Sequence, residues 1–124
     1  MPVTVLVADD AEEIRALIRV VLEFESRVEV VGEAANGTEA IAQAEALEPD
    51  VVLLDVAMPV MDGVQAIPEI LRRSPATRIV ILTGFDETVG REAMARGAHA
   101  YVHKSSDLTS LAATVLEVVG RSRR

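Results

Sequence analysis

Five short apolar runs punctuate this chain, and the stretches between them repeat their apolar residues at helical spacing. The runs are Val3–Ala8 (VTVLVA), Val28–Ala34 (VEVVGEA), Val51–Asp55 (VVLLD), Arg78–Thr83 (RIVILT) and Ala100–His103 (AYVH). Val51–Leu54 is apolar without interruption, the pattern of a strand covered on both faces, as in parallel sheets. Val28–Ala34 alternates more and suits a position nearer a sheet edge. Regular alternation of strand and helix predicts one parallel sheet with right-handed crossovers and helices on both faces. At 124 residues, the expectation is one α/β domain spanning 1–124, three layers deep, with no interior linker.

The helical stripes are Ile14, Leu17, Ile18, Val21 and Leu22; then Ala40, Ile41, Ala44 and Leu47, stopped by Pro49; then Val64, Ile67, Ile70 and Leu71. A fourth runs through Val89, Ala93 and Met94, and a fifth through Leu108, Leu111, Ala112, Val115, Leu116 and Val119. Asp10 is the expected N-cap of the first helix, with Glu12 and Glu13 in the turn where the helix dipole favours negative charge. Asn36-Gly37 marks a turn before the second helix. Pro68 implies that the third helix starts late or bends, because proline lacks the backbone donor. Asp86 is a candidate cap for the fourth helix and Ser105, Ser106 and Asp107 for the fifth. The fourth carries Gly90, has few large anchors and stops at Gly97. It is expected to be the least stable element.

Composition narrows the function. The formal charge of −8 opposes direct nucleic-acid binding, which needs a basic surface. Absence of cysteine excludes disulfides, thiolate catalysis and thiolate metal sites. No signal-peptide pattern follows Met1 and no apolar run approaches a membrane span, so a cytoplasmic chain without membrane contact is expected. Arg121–Arg124 reads as a basic tail.

Four of the five runs end on a group that can do chemistry: Asp9 and Asp10, Asp55, Thr83, and Lys104. In a parallel sheet these ends share one rim, where open α/β sheets bind their ligands. Three carboxylates there would raise one another's pKa values, a penalty that a hard divalent cation removes. Mg²⁺ fits, since it takes oxygen ligands from few carboxylates and keeps waters for a phosphate. Lys104 and the Thr83 hydroxyl suit phosphoryl oxygens, and Gly84 leaves room beside them. An aspartate can carry a phosphoryl group as an acyl phosphate, and Asp55 is the carboxylate facing both Thr83 and Lys104, with Asp9 and Asp10 on the metal side. Alone, each feature has a plainer reading: paired acids cap helices, a threonine closes a turn, a lysine is solvated. Their coincidence at strand ends outweighs those readings. His99 and His103, four apart and on one strand face, are assigned to packing or surface, and Met58 and Met61 to packing of the acceptor loop.

On these residues the chain resembles the receiver domain of two-component response regulators over nearly its whole length. Asp9-Asp10 matches the family's metal-binding acids, and LLDVAMPVMDG its phosphoacceptor loop. The resemblance implies a flavodoxin-like (βα)₅ fold, Asp55 as phosphoacceptor, and the Ala57 carbonyl as third protein ligand to Mg²⁺. It implies Thr83 and Tyr101 as the switch pair and Lys104 as the phosphoryl contact. It further implies a histidine kinase or phosphotransfer protein as donor. The surface of the fourth helix, fifth strand and fifth helix would change on phosphorylation. Homodimers would form there or through the first and fifth helices. Ser105 stands where the family usually has a cis proline, so a trans or strained Lys104–Ser105 bond is expected. Serine there looks more like receivers that precede helix-turn-helix domains. Ala57 and Phe85, at positions that tune hydrolysis in the family, cannot orient a water, which implies a long-lived acyl phosphate.

Other readings compete. A phosphorylation-independent interaction module would not need the full set of Asp10, Asp55, Thr83 and Lys104. An aspartyl-phosphate phosphatase needs a second acid two residues after the nucleophile, where this chain has Ala57. A flavin-binding flavodoxin needs a Ser/Thr-rich phosphate loop after the first strand and flanking aromatics, and this chain has neither. The expectation is a signalling switch, not an enzyme.

Overall fold

The structure, a computed structural model, describes residues 1–84, 87–104 and 108–122. The expectations for Phe85, the Asp86 cap, the Ser105–Asp107 cap, the Lys104–Ser105 bond and the end of the basic tail fall outside these. The five apolar runs form β1 (Val3–Ala8), β2 (Val28–Ala34), β3 (Val51–Asp55), β4 (Arg78–Thr83) and β5 (Ala100–His103). All neighbouring pairs are parallel, in the order β2-β1-β3-β4-β5, which puts β2 at an edge. The chain steps from β1 to one side for β2, then back across to the other side for β3. That reversal is the topological switch point, and crevices for ligands open there, past the strand ends.

The helices are α1 (Glu12–Glu23), α2 (Gly37–Leu47), α3 (Gly63–Arg73), α4 (Glu87–Ala95) and α5 (Leu111–Ser122). Successive strand residues face opposite sides of the sheet, so β1 divides its residues between two cores. Leu6 and Ala8 join Val52, Leu54 and Ile81 under Ile41 of α2, Ile67 of α3 and Ala93 of α4. Val5 and Val7 join Leu53 and Leu82 under Ile18 and Leu22 of α1 and Leu111 and Val115 of α5. The result is the doubly wound, three-layer α/β sandwich implied by the alternation. No helix among the described residues is long and apolar enough to cross a membrane.

Several local expectations are corrected. Asp10 does not cap α1: Ala11 is the cap residue and makes no side-chain cap bond, while the Asp9 side chain takes the Ala11 N–H at 2.9 Å. Leu17 is not in the buried stripe. Ile18 and Leu22 turn to the sheet, and Leu17, rotated off that face, is 46% exposed. The third helix does not start late. Asp62 and Gln65 form a reciprocal capping box that starts it at Gly63, so Pro68 sits in the second turn and gives the Val64 carbonyl no donor. Leu108 is not part of the fifth helix but of a 3₁₀ turn at Leu108–Ser110 ahead of it. His99 precedes β5 rather than lying on it: its N–H donates to the Ile79 carbonyl at 2.8 Å and its Nδ1 accepts from the Ile79 N–H at 3.0 Å. Burial, then the Arg78 charge, lower its pKa, as suits a neutral packing histidine. In α4, Gly90 and Ala93 are the buried positions among those described, and Gly97, at φ +117°, ends the following turn.

Candidate functional site

Backbone bonds carry the strand ends into the site. The Asp9 N–H reaches the Ala34 carbonyl at 3.0 Å, the Val56 N–H the Leu82 carbonyl at 3.2 Å, and the Lys104 N–H the Thr83 carbonyl at 2.9 Å. Asp9, Asp55 and Thr83 are buried. Asp10 is exposed, yet carboxylate oxygens of Asp9, Asp10 and Asp55 lie within 4.8 Å of one another. The Lys104 ammonium stands between two of them, 2.7 Å from Asp9 Oδ2 and 3.2 Å from Asp55 Oδ2. Asp55 Oδ1 accepts from the Ala57 N–H at 3.3 Å. Asp55, Ala57, Thr83 and Lys104 line one cleft of about 730 Å³.

Burial, then the neighbouring Asp9 charge, pushes the Asp55 carboxyl up to about 6, against the pull of Lys104 and the Ala57 N–H. Burial also pulls the Lys104 ammonium down, but its bond to Asp9 and the charges of Asp55 and Asp9 outweigh that, and its pKa is raised. The Lys104 cation thus pairs with two of the three clustered carboxylates. Asp9 Oδ2 has Lys104 as a charge partner but no aligned hydrogen-bond donor, although it is buried. A buried oxygen in that state, beside two more carboxylates, is a donor set suited to a hard divalent cation.

The loop that follows Asp55 depends on missing side chains. The Gly63 N–H donates to the Val56 carbonyl at 3.1 Å, and a Cβ at Gly63 would strike the Asp55 backbone carbonyl oxygen. The Gly37 N–H donates to the Met61 carbonyl at 2.8 Å, and a Cβ there would strike the same residue. Met58 is buried, and Met61 packs against the core beside it. Gly84 behaves differently. An added Cβ meets nothing within 4 Å among the described residues, so the room beside Thr83 does not depend on glycine.

Tyr101 is not among the groups lining the cleft. It pairs with Ile81, two residues back from Thr83, and packs against α4, where a Cβ at Gly90 would come within 3.0 Å of its ring. His103 lies edge-on to it, with ring centres 6.4 Å apart.

Residues 5–116 match the family model of the response regulator receiver domain. The chain belongs to that family. As a receiver domain it is 34% identical to the signal receiver domain of the putative response regulator NarL from Mycobacterium tuberculosis, with a TM-score of 0.88 over 96% of this chain and 97% of that one. The response regulator domain of Thermotoga maritima CheB gives a TM-score of 0.85 at 28% identity, covering 98% and 96%. Among curated relatives, the response regulator protein VraR of Staphylococcus aureus is 40% identical over 93% of this chain and 56% of its own length. A protein-glutamate methylesterase/protein-glutamine glutaminase of Alkalilimnicola ehrlichii is 42% identical over 84% of this chain but only 27% of its own. The receiver domain spans about half, or less, of the curated relatives it matches.

Arg15 escaped the sequence reading. It follows the acids by five residues on α1 and reads as an ordinary solvated arginine. In the fold its Nη1 donates to the Asp9 backbone carbonyl at 2.6 Å. No local pattern marks this, because the contact needs the chain to turn back over its own strand end.

Proposed function

We propose that this receiver domain is a phosphorylatable signalling switch, with Asp55 taking a phosphoryl group from a phosphohistidine donor, a histidine kinase or a phosphotransfer protein. The observation that carries this reading is the Lys104 ammonium between Asp9 and Asp55 at 2.7 and 3.2 Å, on the rim that Thr83 shares. An Asp55 carboxyl near pKa 6 is ionised at neutral pH and available as nucleophile. Its oxygen forms the new O–P bond, and the P–N bond to the donor breaks with its electron pair returning to the imidazole nitrogen. Asp9, Asp10, Asp55 and the Ala57 carbonyl would hold Mg²⁺, which when bound supplies positive charge against the carboxylates and the phosphoryl oxygens. Lys104 stabilises a phosphoryl oxygen, and the Thr83 hydroxyl donates to another.

A group of about −1.5 to −2 charge then stands beside Thr83. Drawn toward it, Thr83 frees space for the Tyr101 ring, which rests on the glycine face of α4. The altered surface of α4, β5 and α5 controls a partner, a second copy or an output domain. The curated relatives that extend well beyond the matched region support an output domain outside this segment. Catalysis on a separate substrate is not part of the reading.

Incubation with Mg²⁺ and acetyl phosphate should phosphorylate the protein, and beryllofluoride should mimic that state. Both effects should vanish in Asp55→Ala, and phosphate uptake that persists in that variant sinks the proposal. The exposed Ala57 methyl offers no polar group to an attacking water, so the acyl phosphate should be long-lived. Ala57→Asn should speed phosphate release roughly tenfold, less than the ~10²–10⁴-fold typical of a side chain that itself transfers the proton, because an amide only orients the water. An unchanged rate would count against the assignment.

A further inference from the structure

Asp9 is held by hydrogen bonds at three of its polar groups and by an ion pair at the fourth. Its N–H is bound to the Ala34 carbonyl, its Oδ1 to the Ala11 N–H, its Oδ2 to Lys104, and its carbonyl accepts from Arg15 Nη1 at 2.6 Å. The Arg15 side chain is only 16% exposed. Its Nε donates to Glu33 Oε1 at 3.0 Å, and Arg19 donates to Glu33 Oε2 at 2.8 Å. Glu33 sits on the edge strand in register with Val7. Arginine is therefore fixed at one end by an acid on β2 and at the other grips the peptide that joins the two site aspartates.

Asp10, the exposed member of the cluster, hangs from that same peptide. Its carboxylate has no hydrogen bond or ion pair among the described residues, so its direction follows from the orientation of the Asp9–Asp10 peptide plane. Exposed ion pairs contribute little to stability. A charge-assisted bond to a backbone carbonyl, from a planar donor fixed at its other end, contributes orientation instead. Groups just outside a metal's ligands commonly set its affinity in this way.

We propose that Arg15, braced by Glu33, is a positioning residue that orients the Asp9–Asp10 peptide and so sets the affinity of the acid cluster for Mg²⁺. This rests on the reading of the cluster as a Mg²⁺ site and adds a residue that neither touches the ion nor the phosphoryl group.

The test is calorimetric titration of the protein with MgCl₂ without phosphodonor, beside phosphorylation rates at saturating Mg²⁺. Arg15→Ala should raise the Mg²⁺ Kd about tenfold, the lower end of what such groups cost. Its phosphorylation rate at saturating Mg²⁺ should stay within about twofold of wild type. Arg15→Lys, which keeps one donor, should recover part of the affinity, and Glu33→Gln should weaken it by less than Arg15→Ala. If Arg15→Ala is folded by circular dichroism and binds Mg²⁺ as the wild type does, the positioning role is wrong and the switch reading stands. Should Arg15→Ala not fold, Arg15→Lys decides by the same Kd comparison. Wild-type protein that binds Mg²⁺ but never carries phosphate on Asp55 overturns the switch, while the Kd comparison still decides the role of Arg15. Wild-type protein that does not bind Mg²⁺ at millimolar concentration overturns both.

Discussion

Helices α3 and α4 flank the same cleft and are held in opposite ways. At α3, Asp62 and Gln65 cap each other's backbone, the Gly63 N–H is bound to Val56, and the glycine backbone lies against Asp55 with no room for a methyl group. Val64, Ala66, Ile67 and Ile70 are buried beneath it. Among the described residues of α4, the buried positions are Gly90 and Ala93, which offer little apolar area, Val89 packs on the core only partly buried, and the contact with Tyr101 is a ring resting on bare backbone. Apolar burial contributes roughly 25 cal/mol per Å², so α4 is held by far less than α3. The half that bears Asp55 is fixed, and the half that bears α4 is loosely held. Switching elements are drawn from the weakly held parts of a fold.

The largest expected break in this contrast is Gly63→Ala. The methyl group cannot fit against the Asp55 carbonyl, and either α3 or β3 must shift. Overpacking of this kind costs about 1–3 kcal/mol and sometimes more. Urea unfolding should show a loss at the upper end, and a loss below about 1 kcal/mol would mean that the α3 side is softer than described.

Asp55→Asn tests the electrostatic side. A folded carboxyl near 6, against an ordinary value near 3.9, keeps its proton between about pH 4 and pH 6 while the unfolded chain has lost it. Stability from this group therefore falls as pH rises through that window, and the penalty is fully present at pH 7. Asparagine removes it. Stability should rise by up to about 3 kcal/mol at pH 7, given 1.36 kcal/mol per pKa unit, and change little near pH 3.5. A variant equally stabilised at both pH values would point to packing instead.

Val60 gives a smaller effect within the same loop. It is β-branched, 84% exposed and holds φ at +69°, a conformation costly for such a side chain. Val60→Gly should stabilise the protein by about 1 kcal/mol, the relieved strain less the glycine entropy. A melting temperature that falls would contradict this.

Gly90→Ala should move global stability least. Alanine favours the helix by about 1 kcal/mol, which offsets the crowding of its methyl against the Tyr101 ring. The ring itself must move. Tyr101 is the sole tyrosine and there is no tryptophan, so its fluorescence reads the ring directly. An unaltered emission and quenching profile would show that α4 yields rather than the ring.

The strands were legible because their signal is local. Unbroken β-branched and aliphatic runs bounded by turns set all five ranges, and strict alternation with helices implied the parallel, doubly wound sheet. The polar residues closing those runs were legible for the same reason, once parallel strands put their ends on one rim. Details of helix ends were not. Asp10 has the composition of a cap, but the bond to the Ala11 N–H is made by Asp9. Pro68 suggests a late start or a bend, but the Asp62–Gln65 capping box starts the helix at Gly63, five residues before the proline.

By itself the sequence determined the layered fold, the identity of the clustered acids, hydroxyl and amine, and the receiver family. Periodicity and chain direction are local properties, and they suffice for that. Tertiary structure alone decided the strand order that sets β1 beside β3, the seat of Lys104 between Asp9 and Asp55, the glycine contact behind Asp55, and the grip of Arg15 on the Asp9 carbonyl. Each of these is a distance between segments far apart in the chain or folded back on themselves, and no residue pattern encodes such a distance until packing fixes it.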